Sequence, residues 1–164
     1  MKISVIYHSE TGNTRRMAEL ITSAAAAAAP GVEARFFAAE GVDRSFLEES
    51  RAVIIGCPTY QGSLSWQIKR FIDAPGVELA GKLGGCFASQ NWPGGGGADF
   101  AEMTIIAGML VLGMLVYSGG ITQGQPFLHF GAVSARSPEG IYEERCIKLG
   151  ENIARKAIEL FGQD

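Results

Sequence analysis

The stretch that decides the fold is Lys2-Ile3-Ser4-Val5-Ile6-Tyr7-His8-Ser9-Glu10-Thr11-Gly12-Asn13-Thr14-Arg15-Arg16-Met17-Ala18. Residues 2–7 are mostly apolar and partly β-branched, as a strand covered on both faces should be. A hydroxyl-rich turn with one glycine follows. The chain then reads as a helix over residues 13–29, with Met17, Ala18, Leu20 and Ile21 apolar and Arg15, Arg16 and Glu19 polar, stopped by Pro30-Gly31. Strand, tight polar turn and helix together make the first half of a parallel crossover unit.

The same alternation continues outward. Residues 32–38 read as a more exposed strand, 45–50 as a short helix, and 52–57 as a continuous apolar strand. Residues 65–73 form an amphipathic helix with Ile68, Phe71 and Ile72 inward, followed by a fourth strand over 82–89. A helix over 99–112 and a fifth strand over 114–118 share one apolar stretch. Ser137-Pro138-Glu139 has the composition of a helix start, and Cys146, Leu149 and Ile153 recur beyond it at helical spacing. Strands separated by helices predict a doubly wound α/β fold: five parallel strands with helices on both faces, in one domain over residues 1–164.

Composition narrows the function. Fourteen basic and 17 acidic residues leave a net charge of −3, with no basic field for nucleic acid and no polybasic segment for anionic lipid. Cys57, Cys86 and Cys146 are scattered and never paired as C-x-x-C, which argues against a disulfide framework or a metal site. The opening residues lack a signal-peptide pattern, so the expected location is the cytoplasm. The uncharged stretch over residues 103–135 suits either extra core or the contact of a homodimer or homotetramer.

In open α/β sheets ligands bind beyond the carboxyl ends of the strands. After the first strand, Ser9, Thr11, Gly12, Asn13 and Thr14 supply hydroxyls and a fresh helix N-terminus, donors suited to a phosphate without a lysine. After the third come Pro58, Thr59, Tyr60, Gln61 and Gly62. After the fourth come Ser89, Gln90, Asn91 and Trp92, then Gly95, Gly96 and Gly97. Each of the last two loops sets an aromatic ring beside glycine and amide groups, which suits a planar heteroaromatic ligand.

Ser9–Thr14 matches the [Ser/Thr]-x-Thr-Gly-x-Thr phosphate loop of the flavodoxin superfamily, which the chain resembles along nearly its whole length. Gly56-Cys57-Pro58-Thr59-Tyr60-Gln61-Gly62-Ser63-Leu64-Ser65 is similar to the second flavin loop of the quinone-reductase-like branch. That branch holds the tryptophan-repressor-binding proteins and the NADPH-dependent FMN reductases. The glycine run 94–97 and Phe130-Gly131-Ala132 resemble later motifs there. The resemblance implies strand order 2-1-3-4-5 and an FMN cofactor. It implies a phosphate on the first loop, a ring between the other two, and Trp92 as the stacking partner. It also implies NAD(P)H as co-substrate and a quinone or free flavin as acceptor. Two departures stand out: the longer relatives carry an insertion that this chain lacks, and they place a histidine where this chain reads Ile105-Ile106-Ala107-Gly108.

Other signals fade on inspection. Gly76–Leu83 nearly spells a Walker A loop but ends on Leu83 and runs into a strand rather than out of one. His8 and His129 are far apart without carboxylates at ligand spacing, and His129 serves at most as a proton donor near the flavin. Residues 58–66 and 84–98 contain no carboxylate. Such a neutral ring pocket suits two-electron chemistry, so the expected function is an FMN-dependent NAD(P)H oxidoreductase. The alternatives are a flavodoxin-type electron carrier and a flavin-binding module without turnover.

Overall fold

The computed structural model describes residues 1–162. Lys2–Tyr7 (β1) leads through the first loop into Asn13–Ala27 (α1), and Glu33–Ala38 (β2) returns to the sheet. A 3-10 turn at Ala39–Gly41 and Arg44–Glu49 (α2) precede Ser50–Pro58 (β3), then Trp66–Asp73 (α3), Leu83–Gln90 (β4) and Ala98–Val111 (α4). The chain closes with Leu115–Val116 (β5), Ala132–Ala135 (β6) and Ile141–Phe161 (α5). The strand order is β2-β1-β3-β4-β5, the order the resemblance implies, with every pairing parallel. Among the described residues no helix is long and apolar enough to cross a membrane.

Alternate residues of the central strands feed two cores. On one face Ile3, Val5, Ile54 and Phe87 pack against Met17 and Ile21 of α1 and Leu149 and Ile153 of α5. On the other Ile6, Val53, Ile55 and Cys86 meet Ile68 and Phe71 of α3 and Ile105 and Met109 of α4. All three cysteines are free and buried. Burial pushes the Cys57 thiol up to about 11 and that of Cys146 to about 12, so both behave as apolar packing groups.

The fifth position departs from the expected single strand over 114–118. β5 pairs with the start of β4, at Leu83 and Gly84, while β6 pairs with its end, from Phe87 to Gln90. Between them residues 117–131 leave the sheet, and Gly119, Gly120 and Gly124 adopt positive φ along the way. The chain re-enters at Gly131, where a Cβ would lie only 2.0 Å from the Cys86 carbonyl oxygen. Only glycine passes that close to the β4 backbone.

The last helix also begins later than its sequence suggests. Ser137–Glu139 forms a turn, with the Glu139 amide donating to the Ser137 carbonyl, and Gly140 at φ 55 sets the chain into Ile141. The uncharged stretch divides its residues: Ile105, Met109, Met114 and Leu128 are buried, while Leu110, Val111, Leu115 and Ile121 face solvent.

Candidate functional site

Three loops converge at the carboxyl ends of β1, β3 and β4. In the first, the Gly12 amide donates to Ser9 Oγ at 3.1 Å, folding the loop on itself. Gly12 takes φ 93 and has open space where a side chain would stand. No side chain caps α1 and no acidic residue occupies its first turn, so its N-terminal amides and positive dipole end are open to an anion. Thr11 is exposed and Asn13 half-buried, both beside this opening. Thr14 differs: it is buried, and its hydroxyl bonds Ser89 Oγ at 2.8 Å. Its side chain ties the first loop to the end of β4, leaving its backbone amide for the helix N-terminus.

The second loop turns tightly. The backbones of Tyr60 and Ser63 bond reciprocally at 2.9 and 3.0 Å, with Gln61 (φ 50) and Gly62 (φ 72) left-handed between them. Pro58 is half-buried at the strand end, and the Thr59 amide donates to the Ser89 carbonyl at 2.8 Å. Thr59 Oγ1 is buried and has no partner among the described residues. Tyr60 stands part-exposed, and burial together with the nearby Glu10 carboxylate raises its phenol pKa.

The third loop meets the second. At Gly97, with φ +86, a Cβ would lie 3.0 Å from Gly62 Cα and 3.4 Å from Thr59 Cγ2. Gln90 turns inward, and its Oε1 accepts from the Ala98 amide at 2.9 Å, fixing the start of α4. Asn91 is exposed, and Trp92 is 66% exposed, a free flat surface with its ring in solvent. Gly95 and Gly96 complete the loop and line the space behind it.

That space is a cavity of about 350 Å³. Its walls include Gly95–Gly97, Asp99 and Glu102 of α4, Phe127 and His129 of the 117–131 excursion, and Arg145 of α5. Glu102 is 1% exposed, and its Oε1 has no partner among the described residues; nor does the buried Nε of Arg145. Burial above all, then Asp99, drives the Glu102 carboxyl well above the usual carboxylate range, against a weaker pull from Arg145. His129, at φ 53, is exposed and lines the cavity beside the third loop. One signal of the cavity was available in the sequence. Ala98, Ala101, Glu102, Ile105 and Met109 make the inward stripe of α4, and Glu102 is its single charge. Arg145 carries no such signal. Among the described residues no acidic, histidine and cysteine cluster forms a metal site.

A hydroxyl-lined helix N-terminus, an orphaned hydroxyl at Thr59 and two glycine turns in contact suit a phosphorylated planar cofactor bound without salt bridges. Comparison with known proteins agrees in kind. A flavodoxin from Clostridium saccharobutylicum is 40% identical over 98% of this chain and 100% of its own length. An NAD(P)H dehydrogenase (quinone) from Archaeoglobus fulgidus is more distant, 26% identical over 97% of this chain and 96% of its own. Among solved structures, a flavodoxin from the domain Archaea superposes with a TM-score of 0.76 at 27% identity, covering 96% of this chain and 99% of that one. With residues 5–104 also matching the flavodoxin family model, the chain belongs to the flavodoxin family.

Proposed function

We propose that the protein carries FMN and passes electrons between redox partner proteins, as an electron-transfer flavodoxin. FMN, when bound, supplies the redox chemistry, and the chain supplies position and electrostatics. Ser9, Thr11, Asn13 and the amides that open α1 would hold the phosphate. Thr59–Gly62 and Ser89–Gly97 would frame the ring, with Tyr60 and Trp92 as its flat neighbours. The Thr14–Ser89 bond keeps the phosphate end and the ring end in register.

The observation that carries this reading is where the carboxylates lie. The ring loops contain none, yet Glu10 reaches Tyr60 from the first loop, while Asp99 stands behind the third. Negative charge near a flavin makes its full reduction harder and separates the two electron steps, which suits a one-electron carrier. The full-length likeness to a flavodoxin supports the same reading.

A second reading, an NAD(P)H oxidoreductase acting on a quinone or free flavin, draws on the uncharged ring loops and on the quinone dehydrogenase relative. One experiment separates the two. The purified protein is reconstituted with FMN, the cofactor identified by chromatography, and the flavin mixed anaerobically with NADH, NADPH or a ferredoxin reductase. Bleaching by the reductase alone, with two well-separated waves in a potentiometric titration, is the expected result. Rapid bleaching by either pyridine nucleotide overturns it in favour of the second reading.

A further inference from the structure

The outer face of α4 is built like a buried one. Phe100, Met103, Ala107, Leu110 and Val111 recur at three-to-four spacing, which sets them in one stripe about three turns long. An apolar stripe of that kind ordinarily faces a core. Here it faces solvent: Phe100 is 70% exposed, Leu110 59% and Val111 89%. Thr104 lies in the same stripe, and its hydroxyl already donates to the Phe100 carbonyl at 2.8 Å, so it offers its methyl group. No exposed residue of α4 from Phe100 to Val111 carries a charge.

Beside the stripe runs an apolar groove of about 420 Å³, with Ala107, Gly108 and Val111 of α4 on one bank and Ile72 of α3 on the other. The two helices come close at Gly108, where a Cβ would lie 2.7 Å from Ile72 Cγ2. Ile72 is therefore level with Gly108. Both helices run the same way, because each follows a strand of one parallel sheet. At equal rise per residue, Ala107 is then level with the midpoint between Lys69 and Asp73. These two form an ion pair on the rim of the groove, both more than half exposed.

That level selects the partner. A two-fold axis through Ala107, perpendicular to the helices, lays an antiparallel second copy on the stripe. Ala107 then meets Ala107, Met103 meets Val111 and Thr104 meets Leu110, while the small residues at the crossing let the helices approach closely. The same axis brings Lys69 of each copy to Asp73 of the other. Moved half a turn toward either end, it would set Lys69 against itself or Asp73 against itself, and like charges in contact repel. A strongly acidic or basic partner finds no matching field here, because the stripe is uncharged and the rim carries one charge of each sign.

We propose that α4 and the rim of α3 form the contact of a two-fold dimer, antiparallel about Ala107, with Lys69 and Asp73 paired reciprocally across it. Two helices a side make a small contact area, so the dimer is reversible.

The test begins with sedimentation equilibrium on the FMN-loaded protein. A monomer–dimer equilibrium is expected, and Ala107→Glu, which sets two carboxylates together on the axis, should shift it about tenfold or more toward monomer. Lys69→Glu should weaken the dimer about threefold, and adding Asp73→Lys should restore it, because the reversed pair is complementary again. Crosslinking then locates the axis. The three native cysteines are buried, so an introduced thiol reports alone. Under mild oxidation Ala107→Cys should give a covalent dimer. Val111→Cys is more exposed but roughly 12 Å along the helix from its own counterpart, so it should not, unless Met103→Cys is added. A single monomeric species up to about 1 mM, the weak end of association, overturns the proposal and leaves the stripe to a different partner. So does a dimer indifferent to Ala107→Glu, a double reversal no better than Lys69→Glu alone, or readier crosslinking at Val111 than at Ala107. None of these outcomes touches the carrier reading, whose own test is the response to NADH and NADPH.

Discussion

The two sides of the third loop are built on opposite principles. Toward the second loop, backbone meets backbone at Gly97 and Gly62, Gln90 is satisfied by Ala98, and the Thr14 and Ser89 hydroxyls satisfy each other. Toward α5, one carboxyl oxygen of Glu102 and the Arg145 Nε are buried without a partner among the described residues, under a segment that interrupts the sheet. The first side is pre-organised by contacts already made, with the buried Thr59 Oγ1 left without a partner among the described residues. The second retains unmet hydrogen bonds, and a fold holds such groups only where the surrounding packing overrides their cost.

The largest expected effect strikes the second side. Gly131→Ala drives a methyl group against the Cys86 carbonyl and Glu102 Oε1, at 2.0 and 2.6 Å, so β6 must leave its register. A loss of about 3 kcal/mol or more is expected in urea unfolding, above the ordinary cost of overpacking because backbone cannot give way. A loss below about 1 kcal/mol would mean that β6 is loosely held and the cavity poorly defined.

Thr14→Val tests the satisfied side. It preserves volume but strands the Ser89 hydroxyl in a buried position. The expected loss is about 1–3 kcal/mol of stability, with weaker FMN binding measured by flavin fluorescence quenching. Unchanged stability and unchanged FMN affinity would remove the tie from the argument.

The smallest effect has a sign that depends on pH. The Glu102 pKa is raised on folding above its ordinary 4.5. Its contribution to stability is therefore complete below that value and is lost as pH rises through the folded value. Methionine does not titrate. Glu102→Met and the parent should be nearly matched in acid, and the variant should gain by about 1 kcal/mol toward neutral and alkaline pH. Thermal unfolding across that range measures the gap, and a gap that is flat or of opposite slope would show that Glu102 is ionised and paired.

The satisfied side is also the side that was legible. The strand readings at 2–7, 52–57 and 82–89 become β1, β3 and β4, because a strand buried on both faces carries little polar periodicity to blur it. Loop chemistry adjacent in sequence stays adjacent in space, so Ser9–Thr14 and Pro58–Gly62 gather at the carboxyl ends of β1 and β3. The other side is assembled from α4, α5 and the excursion, and no local pattern couples Glu102 to Arg145. The split of the fifth strand was hidden for a related reason: β6 is four residues long and follows a segment rich in turn residues. Ser137-Pro138-Glu139 misled because a good helix opening was used as a turn, with Gly140 setting the real start.

The pairing of β5 and β6 on β4 has one more consequence. Val116 lies opposite Gly84 and Ala132 opposite Phe87, which leaves Gly85 and Cys86 without partners in the ladder. Tyr117 already donates its amide to the Gly84 carbonyl, so Tyr117 and Ser118 would fill the two vacant rungs if joined directly to Ala132. The thirteen intervening residues, 119–131, form an inserted segment: removing them would close an uninterrupted ribbon, at the cost of the buried Leu128 and of the Lys148 bonds to the Gly124 and Gln125 carbonyls. The same sheet therefore has room for a chain with or without this segment, and the segment's loss would take with it one wall of the cavity behind the third loop.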